Sequence, residues 1–189
     1  MEAEERFAPA VFTIGHSTRS FKEFLALLRA HGVTHVIDVR TVPRSLRNPQ
    51  FNRETLAEAL PAAGIAYSHM PGLGGLRKPR KDSPNSGWRN DSFRGYADYM
   101  LTPEFEAALE ELIEISGQGS VAVMCAEAVP WRCHRSLIAD ALAVRGVEVR
   151  HITGPGTPRP HTLTPFAVVT AARVTYPRGG RSGRRKQDT

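Results

Sequence analysis

Residues 121–135 read VAVMCAEAVPWRCHR. The apolar run at the start is typical of a buried strand, and the Pro-Trp pair opens an amphipathic segment that predicts a helix over 131–145. A strand followed by a turn and a helix is the repeating unit of α/β proteins. The turn carries the only two cysteines of the chain, Cys125 and Cys133. Because open α/β sheets place ligands at such turns, this stretch predicts both the fold class and the site.

Four further apolar runs predict strands, and helical patterns separate them. The predicted strands are 11–14, 33–39, 65–70, 121–125 and 147–152. Helices are expected after a capping box at Ser20–Glu23, after an Asn52 cap over 53–63, and from Thr102 to about Gly117. The alternation predicts an α/β fold: a mainly parallel sheet of about five strands with helices on both faces. Residues 166–176 are rich in β-branched side chains and predict a C-terminal hairpin-like arm.

Length and charge predict a single α/β domain over residues 1–176, followed by a disordered basic tail over 177–189. The net charge is +6, but six of the 25 basic residues and one of the 19 acidic residues lie in 173–189. The rest of the chain is therefore nearly neutral. The tail either adds non-specific affinity for polyanions or only improves solubility.

The sequence predicts a cytoplasmic protein with no membrane segment. No run of about 18 apolar residues is present, and the acidic start, residues 1–9, lacks a secretory apolar region. Cytoplasmic thiols stay reduced, so the two cysteines are expected to serve chemistry, metal binding or core packing rather than a structural disulfide.

Residues 71–95 break the pattern of strands and helices. The segment has five glycines, three prolines, six basic residues and two acidic ones. A connector of this length without secondary structure is either functional or a mobile insertion. We expect a basic lid over the sheet edge, with a surface insertion as the alternative.

Parallel strands bring their carboxyl ends to one edge, and this rule gathers the candidate site residues. They are His16, Ser17, Asp38, Arg40, Arg44, Cys125, Glu127, Cys133, His134 and Arg135. All of them except Arg44 lie in three motifs: Thr13-Ile-Gly-His-Ser17, Asp38-Val-Arg40 and the stretch quoted above. Together these motifs resemble the family called domain of unknown function 488, over about residues 11–152. The resemblance implies an α/β fold and no agreed activity.

The first chemical hypothesis is a thiol-dependent enzyme. Cys125 follows a strand and precedes a helix, where backbone amides can stabilise a thiolate, so we expect it to be the nucleophile. Glu127 or His16 would be its acid–base partner. The arginines Arg40, Arg44 and Arg135, with Ser17, Asp38, Cys133 and His134, would bind a nucleotide or another phosphorylated substrate. The six residues between Cys125 and Arg132, and the acidic Glu127, match neither thiol phosphatase nor rhodanese loops.

Three alternatives stay open at this point. The same pocket can hold an anionic small molecule or nucleic acid without turnover. Cys125, Cys133 and His134 can bind zinc or iron, although the spacing is not a standard one and a helix would point the last two side chains about 100° apart. The two thiols can also form a redox pair. Substrate, cofactor and oligomeric state are not readable from the sequence.

Overall fold

A computed structural model describes residues 10–179, which form an α/β protein with five α-helices and a six-stranded, mostly parallel sheet. The strands are β1 (Ala10–Gly15), β2 (His35–Asp38), β3 (Ala66–His69), β4 (Val121–Cys125), β5 (Glu148–Ile152), β6 (Arg159–Pro160), β7 (Val168–Thr170) and β8 (Arg173–Thr175). The α-helices are α1 (Phe21–Ala30), α2 (Arg53–Ala62), α3 (Asp91–Tyr99), α4 (Pro103–Ser116) and α5 (Arg135–Ala143). Short 3₁₀ helices span Pro49–Phe51, Pro71–Leu73 and Pro130–Arg132.

The five predicted strands are confirmed as the parallel part of the sheet, and β6 is an added antiparallel edge strand. The order is β3-β2-β4-β1-β5-β6. The chain leaves β2 toward β3 on one side and leaves the adjacent β4 toward β5 on the other. Adjacent strands whose connections diverge in this way form a crevice at their carboxyl ends, where open α/β sheets bind ligands.

The core lies on both faces of the sheet, as the sequence predicts. On one face, Phe24 of α1 and Leu60 of α2 pack against inward side chains of the strands. On the other face, Leu109 of α4 and Leu137 and Ile138 of α5 do the same. Burial on both faces explains why the central strand β4 is continuously apolar rather than alternating.

Local signals set several helix ends. The Ser20 hydroxyl accepts the Glu23 amide at 3.2 Å, and the Glu23 carboxylate accepts the Ser20 amide at 2.7 Å, which confirms the capping box. Asn52 directly precedes α2, as predicted, but the expected capping hydrogen bond of its side chain is absent. The side chain accepts the amide of Ser45 instead of a helix amide. The loop before α2 therefore takes the hydrogen bond that was expected at the helix end.

The largest difference between prediction and structure concerns the helix that the sequence predicts over 131–145. A 3₁₀ turn covers Pro130–Arg132, and Cys133 then has an extended backbone, with φ −130° and ψ 148°. The α5 helix begins only at Arg135, with His134 before it. Cys133 and His134 therefore do not lie in the first helical turn.

The segment 71–95 includes a helix start that the sequence analysis missed, because α3 begins at Asp91. The rest of the segment is held by Asp98, whose carboxylate accepts the Arg80 amide, the Ser83 hydroxyl and the Asn85 side-chain amide at 2.6–2.8 Å. Asn85 is buried and accepts the Tyr176 amide at 2.8 Å. The segment is therefore tied to α3 and to the C-terminal end of the described chain.

The predicted C-terminal hairpin is confirmed by the antiparallel pair β7–β8. Apart from residues 177–179, the predicted basic tail lies outside the described residues, as do residues 1–9. Within 10–179, none of the helices combines the length and the apolar character that crossing a membrane requires.

Candidate functional site

The carboxyl ends of β1 and β4 are joined backbone to backbone. The His16 amide donates to the Cys125 carbonyl at 3.0 Å, and the Ser17 amide donates to the Ala126 carbonyl at 2.9 Å. A Cβ on Gly15 would lie 1.9 Å from the Glu127 carbonyl oxygen, so only glycine allows this approach. The loops that follow β1 and β4 are thus held in direct contact.

His16, Asp38 and Arg40 form a buried ion-pair network on one side of this contact. The Asp38 carboxylate accepts Nε and Nη2 of Arg40 at 2.8 and 2.6 Å, and it accepts the Tyr67 hydroxyl at 2.8 Å. Arg40 also donates to the Phe51 carbonyl at 2.7 Å and to His16 Nε2 at 3.2 Å. Sequence reasoning missed Tyr67, which lies on β3 opposite Val36, two residues before Asp38 on β2.

These bonds leave the network little capacity for other partners. His16 donates from Nδ1 to the Ser17 carbonyl at 2.8 Å, and its Nε2 lone pair receives Arg40. Burial lowers the pKa of His16 from 6.5 to about 4, so the ring is neutral. Of the five N–H groups of Arg40, four are used, and one on Nη1 remains.

Cys125, Cys133, His134 and Arg135 come together on the other side of the contact, and we call them the thiol cluster. Arg135 donates from Nε to the Cys133 sulfur at 3.4 Å and from Nη2 to the Glu127 carbonyl. His134 Nδ1 lies 3.7 Å from the same sulfur. Cys133 is 5% exposed and Arg135 is 1% exposed, whereas Cys125 is half-buried.

The surroundings of the two thiols shift their pKa values in opposite directions. The pKa of Cys133 lies well below its usual range because Cys125 donates a hydrogen bond to its sulfur and because His134 and Arg135 lie beside it. The pKa of Cys125 is raised well above its usual range by the same hydrogen bond to Cys133 and by burial. The two pKa values shift in opposite directions, so Cys133 is the thiol that loses its proton more easily.

The thiol cluster also has the composition of a metal site. The ligand atoms of Cys125, Cys133 and His134 all lie within 4.8 Å of one another. The expectation that Cys133 and His134 diverge by about 100° is wrong, because neither residue lies within α5. Two thiolates and an imidazole are donors that zinc and iron accept.

His134 is packed tightly but lacks a full set of partners. Its ring lies 4.9 Å from the Tyr96 ring, and a Cβ on Gly75 would come within 3.1 Å of its Nδ1. Its Nε2 is buried without a hydrogen-bond partner among the described residues. The backbone of the segment 71–95 therefore covers the thiol cluster at Gly75.

A cavity of about 340 Å³ lies at the edge formed by the loops after β1, β2 and β4. Ser17, Arg40, Arg44 and Glu127 line it, together with further hydroxyl and amide side chains. Arg44 is exposed and only 3.6 Å from the exposed Glu54, so this ion pair is weak. His16 and Arg40 also line the cavity, but neither cysteine does, so the structure divides the predicted site into two parts: the cavity with the His16 network, and the thiol cluster.

A comparison of the chain with protein families agrees with the sequence motifs and with the fold. The model of the family described as domain of unknown function DUF488 matches residues 20–142, almost two-thirds of the chain. The chain belongs to this family. The matched part of the DUF488 chain contains Asp38, Arg40 and the whole thiol cluster, while His16 and Ser17 lie before it. No curated protein and no solved structure matches the chain.

A second buried network of the DUF488 chain escaped the sequence analysis, and we call it the Asp140 cluster. It comprises Thr13, Asp140, His151, His161, Thr164 and Tyr176. Hydrogen bonds of 2.7–2.9 Å run from the Thr13 hydroxyl through His151 and His161 to the Asp140 carboxylate. Asp140 interrupts the apolar face of α5, and this interruption is the sequence signal that would have identified it.

Proposed function

We propose that this DUF488 protein is a thiol-dependent enzyme whose nucleophile is Cys133 and whose substrate is a phosphorylated small molecule. The observation that carries the proposal is the buried contact between Arg135 Nε and the Cys133 sulfur, with Cys125 and His134 beside the same sulfur. A thiolate next to a guanidinium is the reactive form of cysteine. The cytoplasm, which keeps thiols reduced, is the compartment that suits this chemistry.

The proposal changes the roles that the sequence predicts for the two cysteines. Cys125 was expected to be the nucleophile, but Arg135 and His134 both contact Cys133. Cys125 becomes the proton donor, because its sulfur lies within 4.8 Å of the Cys133 sulfur and the pKa of its thiol is raised while that of Cys133 is lowered. His16 does not act as the base, since the lone pair of its Nε2 already accepts a hydrogen bond from Arg40.

The anionic part of the substrate would bind in the cavity of about 340 Å³. Arg44 and the one remaining N–H of Arg40 are its cationic donors, and the Ser17 hydroxyl adds a neutral one. The loop 126–128 separates this cavity from the thiols, and the Arg135 bond to the Glu127 carbonyl fixes the loop. Glu127 favours a substrate that also carries a proton donor, such as a sugar hydroxyl.

The reaction divides into two displacements. The Cys133 thiolate attacks the electrophilic atom, a sulfur–substrate bond forms, and the leaving group departs with the bonding pair and the Cys125 proton. Once Cys133 is neutral, Cys125 is easier to deprotonate, because the negative charge beside it has gone. Water then displaces Cys133, which regains its negative charge, and returns a proton to Cys125.

The test is the alkylation of each thiol by iodoacetamide, measured by peptide mass spectrometry between pH 5.5 and pH 9 on protein purified without chelator or affinity metal. We expect Cys133 to react at a pH where an ordinary thiol is protonated. Arg135→Gln should slow this reaction at neutral pH at least about tenfold, since it removes the cation. Arg132→Gln is the matched control, because Arg132 is exposed and makes no ion pair among the described residues.

Three results would overturn the proposal. Cys125 could react first, both thiols could titrate like ordinary cysteines, or elemental analysis could find one metal per chain with both thiols protected until chelation. The last result would assign the thiol cluster to metal binding. Turnover itself is tested by screening phosphorylated substrates against wild type and Cys133→Ser, which must be inactive.

A further inference from the structure

A second and larger cavity, of about 470 Å³, lies beyond the carboxyl end of β5 and beside the 3₁₀ turn Pro130–Arg132. Aromatic and proline side chains form most of its wall, and the two histidines of the Asp140 cluster lie at one side. Its size and its mainly apolar lining with a few polar groups are those of small-molecule sites. The thiols and the His16 network take no part in it.

Each of the two tryptophans of this cavity has one group without a partner among the described residues, although Trp88 packs against Phe93, Phe166 and Tyr176. Trp131 is 62% exposed, and it is the one aromatic among the large apolar side chains exposed within residues 10–179. Trp88 packs against Phe166 at 4.9 Å, but its Nε1 is buried without a partner in the described part of the chain. Buried indole N–H groups usually find an acceptor, so both residues point to a missing aromatic or polar partner.

The charge of the cavity has one sign. Arg159 lines the wall, no acidic residue does so, and Arg159 makes no ion pair within residues 10–179. His151 and His161 offer no free nitrogen, because each ring nitrogen is engaged in the chain from Thr13 to Asp140. The guanidinium is therefore the group that would recognise a charged ligand, and the ligand must be anionic.

We infer that this cavity binds a small molecule that joins a flat aromatic ring to a phosphate, of the class of a nucleoside monophosphate. The ring stacks on Trp131, and the phosphate binds Arg159, which can donate two parallel hydrogen bonds to it. The site goes beyond the proposed thiol chemistry and does not depend on it. It also lies mostly outside residues 20–142, which the family model matches.

The chain carries its own reporter for this test, because both of its tryptophans line the cavity. We would titrate the full chain with AMP and follow tryptophan fluorescence excited at a wavelength that AMP does not absorb. Adenosine and ribose 5-phosphate are the matched probes, since each keeps only one half of AMP. We expect saturable quenching by AMP, with both halves binding at least about tenfold more weakly.

Variants assign the binding to this cavity. Arg159→Gln should weaken the binding of AMP at least about tenfold and leave the affinity for adenosine unchanged. Arg44→Gln, which alters the smaller cavity, should leave AMP binding unchanged. Calorimetry on Trp131→Leu, whose exposed side chain is not needed for folding, should show weaker binding of both AMP and adenosine.

Several outcomes contradict the inference. Equal affinity for AMP and adenosine, no effect of Arg159→Gln, or loss of binding in Arg44→Gln would each overturn it. Tight binding of single-stranded oligonucleotides without binding of AMP would also overturn it, in favour of a nucleic-acid surface. The double variant Cys125→Ser/Cys133→Ser should bind AMP like wild type, so this site and the thiol proposal fail independently.

Discussion

The thiol cluster and the Asp140 cluster both contact α5, yet they differ in how completely their polar atoms are bonded. The Asp140 carboxylate accepts four hydrogen bonds of 2.6–3.1 Å. In the thiol cluster the contacts to the Cys133 sulfur are 3.4 and 3.7 Å, and His134 Nε2 has no partner among the described residues. A saturated buried network fixes one structure, whereas groups with unused bonding capacity can exchange partners. The comparison supports a structural role for the Asp140 cluster, and it agrees with the chemistry that we propose for the thiol cluster.

The largest expected effect is on stability in the saturated cluster. Asp140→Ala leaves buried donors of His161, Thr164 and Tyr176 unpaired, so it should lower the free energy of unfolding by about 3–5 kcal/mol in urea denaturation. Cys133→Ala removes weaker contacts and should cost about 1–2 kcal/mol. Equal losses in the two variants would remove the distinction between the clusters.

A second variant tests whether the loop contact at the sheet edge supports the thiol cluster. Gly15→Ala would place a Cβ 1.9 Å from the Glu127 carbonyl that Arg135 binds, so we expect a loss of about 1–3 kcal/mol and slower alkylation of Cys133. Gly154→Ala is the control, since its Cβ meets nothing within 4 Å. If Gly15→Ala changes stability but not alkylation, the loop does not support the thiols.

The pH dependence of stability tests the neutral histidines. Burial lowers the pKa of His16 and of His151 from 6.5 to about 4, so the unfolded chain takes up these protons first as the pH falls. The contribution of these two histidines to stability should therefore be constant above about pH 6.5 and fall toward pH 4, by up to about 1.4 kcal/mol per pH unit for each histidine. Denaturation at several pH values measures the slope, and His151→Gln should reduce it. An unchanged slope in that variant would show that His151 is charged in the folded protein.

The smallest effect on stability is expected at the unpartnered histidine. His134→Phe keeps the ring against Tyr96 and removes a nitrogen that lacks a partner, so it should change the free energy of unfolding by less than about 1 kcal/mol. The same change should slow the alkylation of Cys133. His161→Phe, in the saturated cluster, should cost at least about 2 kcal/mol. A stable His134→Phe with unaltered alkylation would leave His134 without a role.

Hydrophobic pattern and helix caps were enough to predict the parallel strands and most helices. They failed at α3, because Gly95 in its centre and the basic residues before it resemble a loop. In the structure that glycine lets the Arg77 carbonyl approach, since a Cβ would lie 2.1 Å from it. This close contact between distant parts of the chain leaves no local signal in the sequence.

The sequence was enough to predict where the candidate site lies, but not how its side chains are arranged. The rule for parallel strands brought the right residues to one edge, but it could not show that Arg40 is committed to Asp38 or that Cys133 has an extended backbone. Side-chain direction depends on the backbone angles of single loop residues, and periodicity does not contain these angles. The buried Asp140 could have been suspected, because a carboxylate on an apolar helix face requires partners.

The hydrogen bond between Asn85 and Tyr176 has a consequence for the order in which the chain is made. The Asp98 carboxylate can bind residues 80–85 soon after they are synthesised. Asn85 can accept the Tyr176 amide only after 91 further residues have been added to the chain. Until then the segment that covers the thiols lacks its distal anchor. On the ribosome, the loop at Asn85 is therefore joined to the C-terminal end of the described chain late, after every strand of the parallel sheet has been translated.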